Sequence, residues 1–134
     1  MIALCRADFE TLVEQAMDTL PQRFKDLIKN VAVMVEDFPS PEICRDMGLR
    51  SKWDLLGLYH GVPFEHRGSN YGNVPPDVIL LFQKPVERMS ETEEEVSAQI
   101  RETVIHEIAH YFGFSEAEIR RVERETRTKK KERT

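Results

Sequence analysis

An α+β fold is the class this sequence predicts, and three observations predict it. Apolar residues recur at helical spacing near the N-terminus and again across residues 96–112. Between those stretches lie three short apolar runs, VAVMV (31–35), LLGLY (55–59) and VILLFQ (78–83). The helices and strands do not alternate strictly, so a small mixed sheet of about three strands is expected, preceded by two helices and followed by a long one. At 134 residues, 40% hydrophobic and 32% charged, the chain has the length and composition of one globular domain, 1–134.

Taken in order, Asp8 reads as an N-cap, followed by Phe9, Leu12, Val13, Ala16, Met17 and Leu20 at helical spacing. Pro21 breaks that helix or opens the next, in which Phe24, Leu27 and Ile28 form a shorter amphipathic set ending near Asn30. FPSPEICRDMG (38–48) reads as a loop holding at most a helical turn, and EHRGSNYGNVPPD (65–77) as a long turn-rich loop. The unbroken apolar run 78–83 predicts a strand covered on both faces, stopped by Lys84-Pro85. Ser90 with Glu93 predicts a capping box, with Glu91, Glu94 and Glu95 also favoured near the positive end of the helix dipole. Val96, Ile100, Val104 and Ile108 form one buried stripe, widened by Ile105, Ala109 and Phe112, and Gly113 is placed to stop the helix. The charged residues from about 120 to 134, with a lysine run at 129–131, read as a frayed tail.

The formal charge of −5 argues against a nucleic-acid partner, which would demand a basic field. No run approaches the length of a membrane span. The opening MIALCRADFE meets charge too early for a secretory leader, so a cytoplasmic protein is expected. Cys5 and Cys44, far apart and without a CxxC spacing, are expected to be free thiols.

The chemistry concentrates in TVIHEIAHYFGFSEAE (103–118). Residues four apart on a helix share a face, so His106 and His110 offer two imidazoles to one point. Neutral imidazole is a good zinc ligand, and Glu107, about 100° round the helix, lies where a general base belongs. Gly113 lets the chain turn sharply, which brings Glu116 back toward the histidines. HExxHxxGxxE therefore predicts Zn2+ held by His106, His110 and Glu116, with Glu107 as catalytic base. Glu118 and Glu123 are alternative third ligands if the chain continues as a helix after Gly113.

Those residues, with FETLVEQAMDTLP, NVAVMVEDFPS, LLGLYHGVPFEHR and PPDVILLFQKPV, resemble the minimal zincin family of small bacterial metallopeptidases. The resemblance runs from about Phe9 to Ile119. It implies a zincin-like fold with the motif helix against a short sheet, zinc on His106 and His110, Glu107 as base, and a peptide or protein substrate. The family pattern usually has aspartate where Glu116 stands, and often histidine where Tyr111 stands. Larger zincins carry a methionine turn beneath the metal, and no methionine follows Glu116, so a shallow site is expected.

Other residues take plainer readings. His60 and His66 are expected as solvated loop residues, with His66 or Tyr71 as alternative oxyanion donors. Tyr111 and Trp53 are expected to pack, and Asp37 to cap a turn. Strand 78–83 is expected to offer an edge to an extended substrate. Two rival functions remain: a zinc-binding interaction module without turnover, and a metal-free structural domain. The sequence leaves the oligomeric state open.

Overall fold

A computed structural model describes residues 1–61 and 77–133, with residues 125–133 as backbone alone. The elements run α1 (Arg6–Asp18), α2 (Gln22–Leu27), β1 (Val31–Glu36), α3 (Pro41–Asp46), β2 (Gly57–His60), β3 (Asp77–Phe82), α4 (Gln83–Arg88), α5 (Glu93–Tyr111) and α6 (Glu116–Arg133). The expected α+β class is what is found, with a three-stranded mixed sheet of order β1-β3-β2. β1 pairs with β3 in parallel, and β2 pairs with β3 antiparallel. β3 is therefore the central strand. It has no edge to give a substrate, contrary to the expectation for 78–83; among the described residues the edges belong to β1 and β2.

β3 buries Ile79 and Leu81 on the packed face, while Val78 and Leu80 on the other are only half-buried. The run is apolar throughout, yet only one face is fully covered by described residues. β1 follows the same alternation, with Val31, Val33 and Val35 against the core and Met34 exposed. The prolines and glycines of 38–48 enclose a true helix, α3, whose N-cap Ser40 accepts from the Ile43 N–H. The loop expected over 65–77 lies, up to residue 76, outside the described residues, as do His66 and Tyr71.

α5 is the centre of the packing. Val96, Ile100, Val104, Ile105, Ile108 and Ala109 are buried, and α1, α2, α4, α6 and β2 all lie against the helix. Burial of each of these valine and isoleucine side chains stabilises by roughly 1.5–3 kcal/mol. Phe112, assigned to this stripe from its spacing, is instead 41% exposed, because it follows the last helical residue and leaves the helix face. The helix begins at Thr92, whose hydroxyl accepts from the Glu95 N–H, while Glu95 accepts from the Glu91 N–H. The box expected at Ser90 and Glu93 is thus two residues late. Ser90 is buried and its hydroxyl donates to the Val86 carbonyl, so it is not free to cap.

The N-terminus is pinned along α4. Leu4 N–H donates to Glu87 Oε2 at 2.7 Å, Gln83 Nε2 donates to the Leu4 carbonyl at 2.9 Å, and Ile2 N–H donates to the Ser90 carbonyl at 2.9 Å. Glu87 is fully buried, with Lys84 Nζ 3.6 Å from its other oxygen. Arg6 then reaches three groups at the ends of β1 and β3: Gln83 Oε1, the Val35 carbonyl and Asp37 Oδ1, at 2.7, 2.8 and 2.6 Å. These ties draw α1 forward to start at Arg6, with Cys5 at the cap position, so Asp8 sits in the first turn where the helix dipole favours it, not at the cap. Asp37 serves as Arg6's partner, and half-buried Trp53 packs edge-on against Phe38. Cys5 and Cys44 are both free. No helix among the described residues is long and apolar enough to cross a membrane.

β2 and α5 meet at Gly57. A Cβ there would lie 2.7 Å from Thr103 Cγ2 and 2.9 Å from the Leu80 carbonyl oxygen, closer than packed atoms sit. Gly57→Ala is expected to destabilise the fold by about 1–3 kcal/mol. Denaturant unfolding of the two proteins checks it; equal midpoints would show that α5 does not press on β2.

Candidate metal centre

The site is made where α5 ends. Gly113 has φ +78°, the left-handed conformation glycine tolerates best, as the sequence predicted for the helix stop. Its N–H donates to the His110 carbonyl, and the Phe114 N–H donates to the Ala109 carbonyl at 2.8 Å, the paired bonds of a Schellman turn. Phe114 then packs on Phe24 with ring centroids 5.3 Å apart. Ser115 starts α6 with a capping box: its hydroxyl accepts from Glu118 N–H, and Glu118 Oε1 accepts from Ser115 N–H. These bonds hold the Glu118 carboxyl below its ordinary value of 4.5, the backbone N–H of Ser115 contributing most.

Where the charged end of the sequence suggested a frayed tail from about residue 120, the backbone is helical through Arg133. Ile119 and Val122 are buried in the common core, which lays the first turns of α6 against α5.

This places the acids of α6 at the histidines of α5. Glu116 Oε1 lies 3.5 Å from His110 Nε2. Glu123, seven residues and two turns further along the same face of α6, contacts His106 Nε2 through Oε1. The two imidazole rings are 5.8 Å apart between centroids. His106 is half-buried and His110 exposed. Ligand atoms sharing one tetrahedral zinc at about 2.0–2.1 Å would be about 3.3–3.4 Å apart. The Glu116–His110 spacing matches that separation, and the donor set of imidazoles and carboxylates suits zinc.

His106, His110 and Glu116 are not drawn into one tight cluster. The described residues whose ligand atoms all lie within 4.8 Å of one another are Glu102, His106 and Glu123. Spacing alone ranks Glu123 below Glu116. The signal that points to it is the pair Ile119 and Val122, which anchors α6 and turns the next residue toward α5.

Glu107 Oε1 accepts the Tyr59 N–H at 2.9 Å, so the expected base is tied to strand β2. Beside it a cleft of about 290 Å³ is lined by Leu55, Leu56 and Gly57 on one side and by α5 residues including Gln99, Thr103 and His106 on the other. Tyr111 lies flat on Tyr59, centroids 3.9 Å apart, in the packing role expected of it. His60 is exposed at the end of β2, and Glu118 is committed to its cap.

Two imidazoles one helical turn apart, a flanking glutamate beside a cleft and a second helix bearing carboxylates define a candidate zinc centre of the HExxH class. A family model for zincin-like metallopeptidases matches residues 28–126, and the chain belongs to that family. No curated protein matches the chain.

Two expectations follow. His106→Ala or His110→Ala should each remove most of the bound zinc while leaving the helical circular-dichroism signal in place, since the buried stripe of α5 is untouched; metal analysis after dialysis reads the result, and stoichiometric zinc in either variant would put the site elsewhere. In the zinc-free protein, Glu118→Gln should lower the melting temperature at neutral pH. A carboxylate with a lowered folded pKa contributes stability above its unfolded pKa and loses it as pH falls through the folded one. The difference between the proteins should therefore shrink on acidification below about 4.5, and a gap constant with pH would mean the carboxylate charge does not matter to the cap.

Proposed function

We propose that the protein is a zinc-dependent metallopeptidase that hydrolyses peptide bonds, with His106, His110 and Glu116 as zinc ligands and Glu107 as general base. The observation that carries this reading is the placement, in a chain of the zincin-like metallopeptidase family, of both histidines on one helix with a carboxylate of the next helix 3.5 Å from His110. Zinc, when bound, supplies Lewis acidity toward the scissile carbonyl and toward water. The chain's own residues do the rest. The Tyr59 N–H holds Glu107 Oε1, which fixes the carboxylate plane and leaves Oε2 to take the proton of the attacking water and return it to the leaving amine. Among the described residues β2, not β3, is the sheet edge beside the cleft, and an extended peptide or protein segment is the substrate that suits such an edge. A net charge of −5 gives no basic field for nucleic acid, which favours a peptide or protein as the partner.

A zinc-binding interaction module without turnover is the second reading, favoured by the engagement of His106 with Glu123. Glu107→Gln separates the two. It keeps the shape of the side chain and its hydrogen bond to Tyr59 and removes only the base. Zinc content should be unchanged, and cleavage of a peptide library should fall by roughly 10²–10⁴-fold. Equal cleavage by both proteins at equal zinc loading would sink the mechanism.

A further inference from the structure

Among the contacts of the site, one has no part in the hydrolytic reading: Glu123 Oε1 lies directly on His106 Nε2. A metal ion binds an imidazole nitrogen along its in-plane lone pair, the same direction in which that nitrogen makes hydrogen bonds. Any ion that takes Nε2 of His106 therefore meets Oε1 of Glu123. The carboxylate has to join the metal or leave.

The structure opposes its leaving. Val122, the preceding residue, is fully buried, and Ile119 one turn earlier is 1% exposed. The first turns of α6 are thus held against α5, and Glu123 is itself half-buried, 19% exposed at its side chain. Moving an anion away from a divalent cation in a half-buried position costs more than keeping it there. Charge balance points the same way: two carboxylates neutralise Zn2+, whereas Glu116 alone leaves a net positive centre. Glu102, the third member of the cluster, is exposed, so water can solvate its carboxylate and it is the member least committed to an ion.

We propose that Glu123 is a fourth protein ligand, so that zinc, on binding, draws the His106–Glu123 and His110–Glu116 pairs together into a centre closed by all four, and that α6 must release Glu123 before water or substrate can reach the metal. Helix α6 is then a built-in restraint on the site. This rests on the zinc-centre reading above. Catalytic zinc sites keep one position open, and closed four-ligand sites hold the metal without turnover.

The test uses the full-length protein. Zinc affinity is measured by chelator competition for the wild type, Glu123→Ala and Glu123→Gln, with helical circular dichroism as the folding control. Glutamine keeps the size of the side chain and ligates poorly, so it stands in if alanine unfolds α6. The cobalt-substituted forms are then titrated with acetohydroxamate, an anion that needs an open metal position, and the visible spectrum is followed. The proposal expects at least about tenfold weaker zinc in both variants and at least about tenfold tighter hydroxamate binding than in the wild type. Unchanged or tighter zinc overturns it, because Glu123 would then only hydrogen-bond His106. Weaker zinc with unchanged hydroxamate binding overturns it as well, since water already held the fourth position. Failure of the wild type to take up one equivalent of zinc is a separate result: it overturns the zinc-centre reading itself.

Discussion

Helix α5 has to bury one stripe of side chains completely while it holds two imidazoles clear of that stripe. Val96, Ile100, Val104 and Ile108 follow one another every fourth residue, and each is fully buried. His106 comes two residues after Val104, about 200° round the helix, so it lies away from the buried stripe. The helix cannot roll to re-aim its histidines without pulling isoleucines out of the core. The direction in which the candidate ligands point is therefore set by hydrophobic packing. Gly57 completes the constraint by letting β2 approach α5 closely enough for a strand N–H to reach Glu107.

The second half of the site depends on a change of direction. Gly113 takes a left-handed conformation, the Schellman bonds close α5, and the Ser115–Glu118 box opens α6. The chain reverses within a few residues, and the start of α6 is seated by two buried aliphatic side chains. As a result the order of acids along α6 mirrors the order of histidines on α5: the first acid meets the second histidine, and the later acid meets the first. A continuous helix through Gly113 would have carried both carboxylates away from the imidazoles.

The strands, the long helix and its glycine stop were legible in the sequence because each rests on local periodicity or a single residue's conformational freedom. Caps were less so. Ser90 and Thr92 each have a glutamate three residues on, and only the burial of Ser90 beneath α4 decides between them. The start of α1 moved because Arg6 is drawn to the ends of two strands distant in sequence. The HExxH face was legible for the same reason as the buried stripe, since both are properties of one helix. The Tyr59–Glu107 bond and the Glu123–His106 contact were not, because they depend on how a strand and a second helix are seated against α5. At the C-terminus the buried pair Ile119 and Val122 seats the start of α6, which a charge-rich composition alone did not reveal.

The match to the family model begins at residue 28, while α1 lies wholly before it. Yet α1 supplies Phe9, Leu12, Val13 and Ala16 to the core, lies along α5, and through Arg6 grips the sheet at Gln83, Val35 and Asp37. The recognisable unit and the cooperative unit are thus of different lengths. A chain trimmed to the recognisable part would keep every candidate ligand and lose the wedge that stops α5 from turning. In a protein this small the chemistry is written in one segment, and part of the scaffold that keeps that segment still lies outside it.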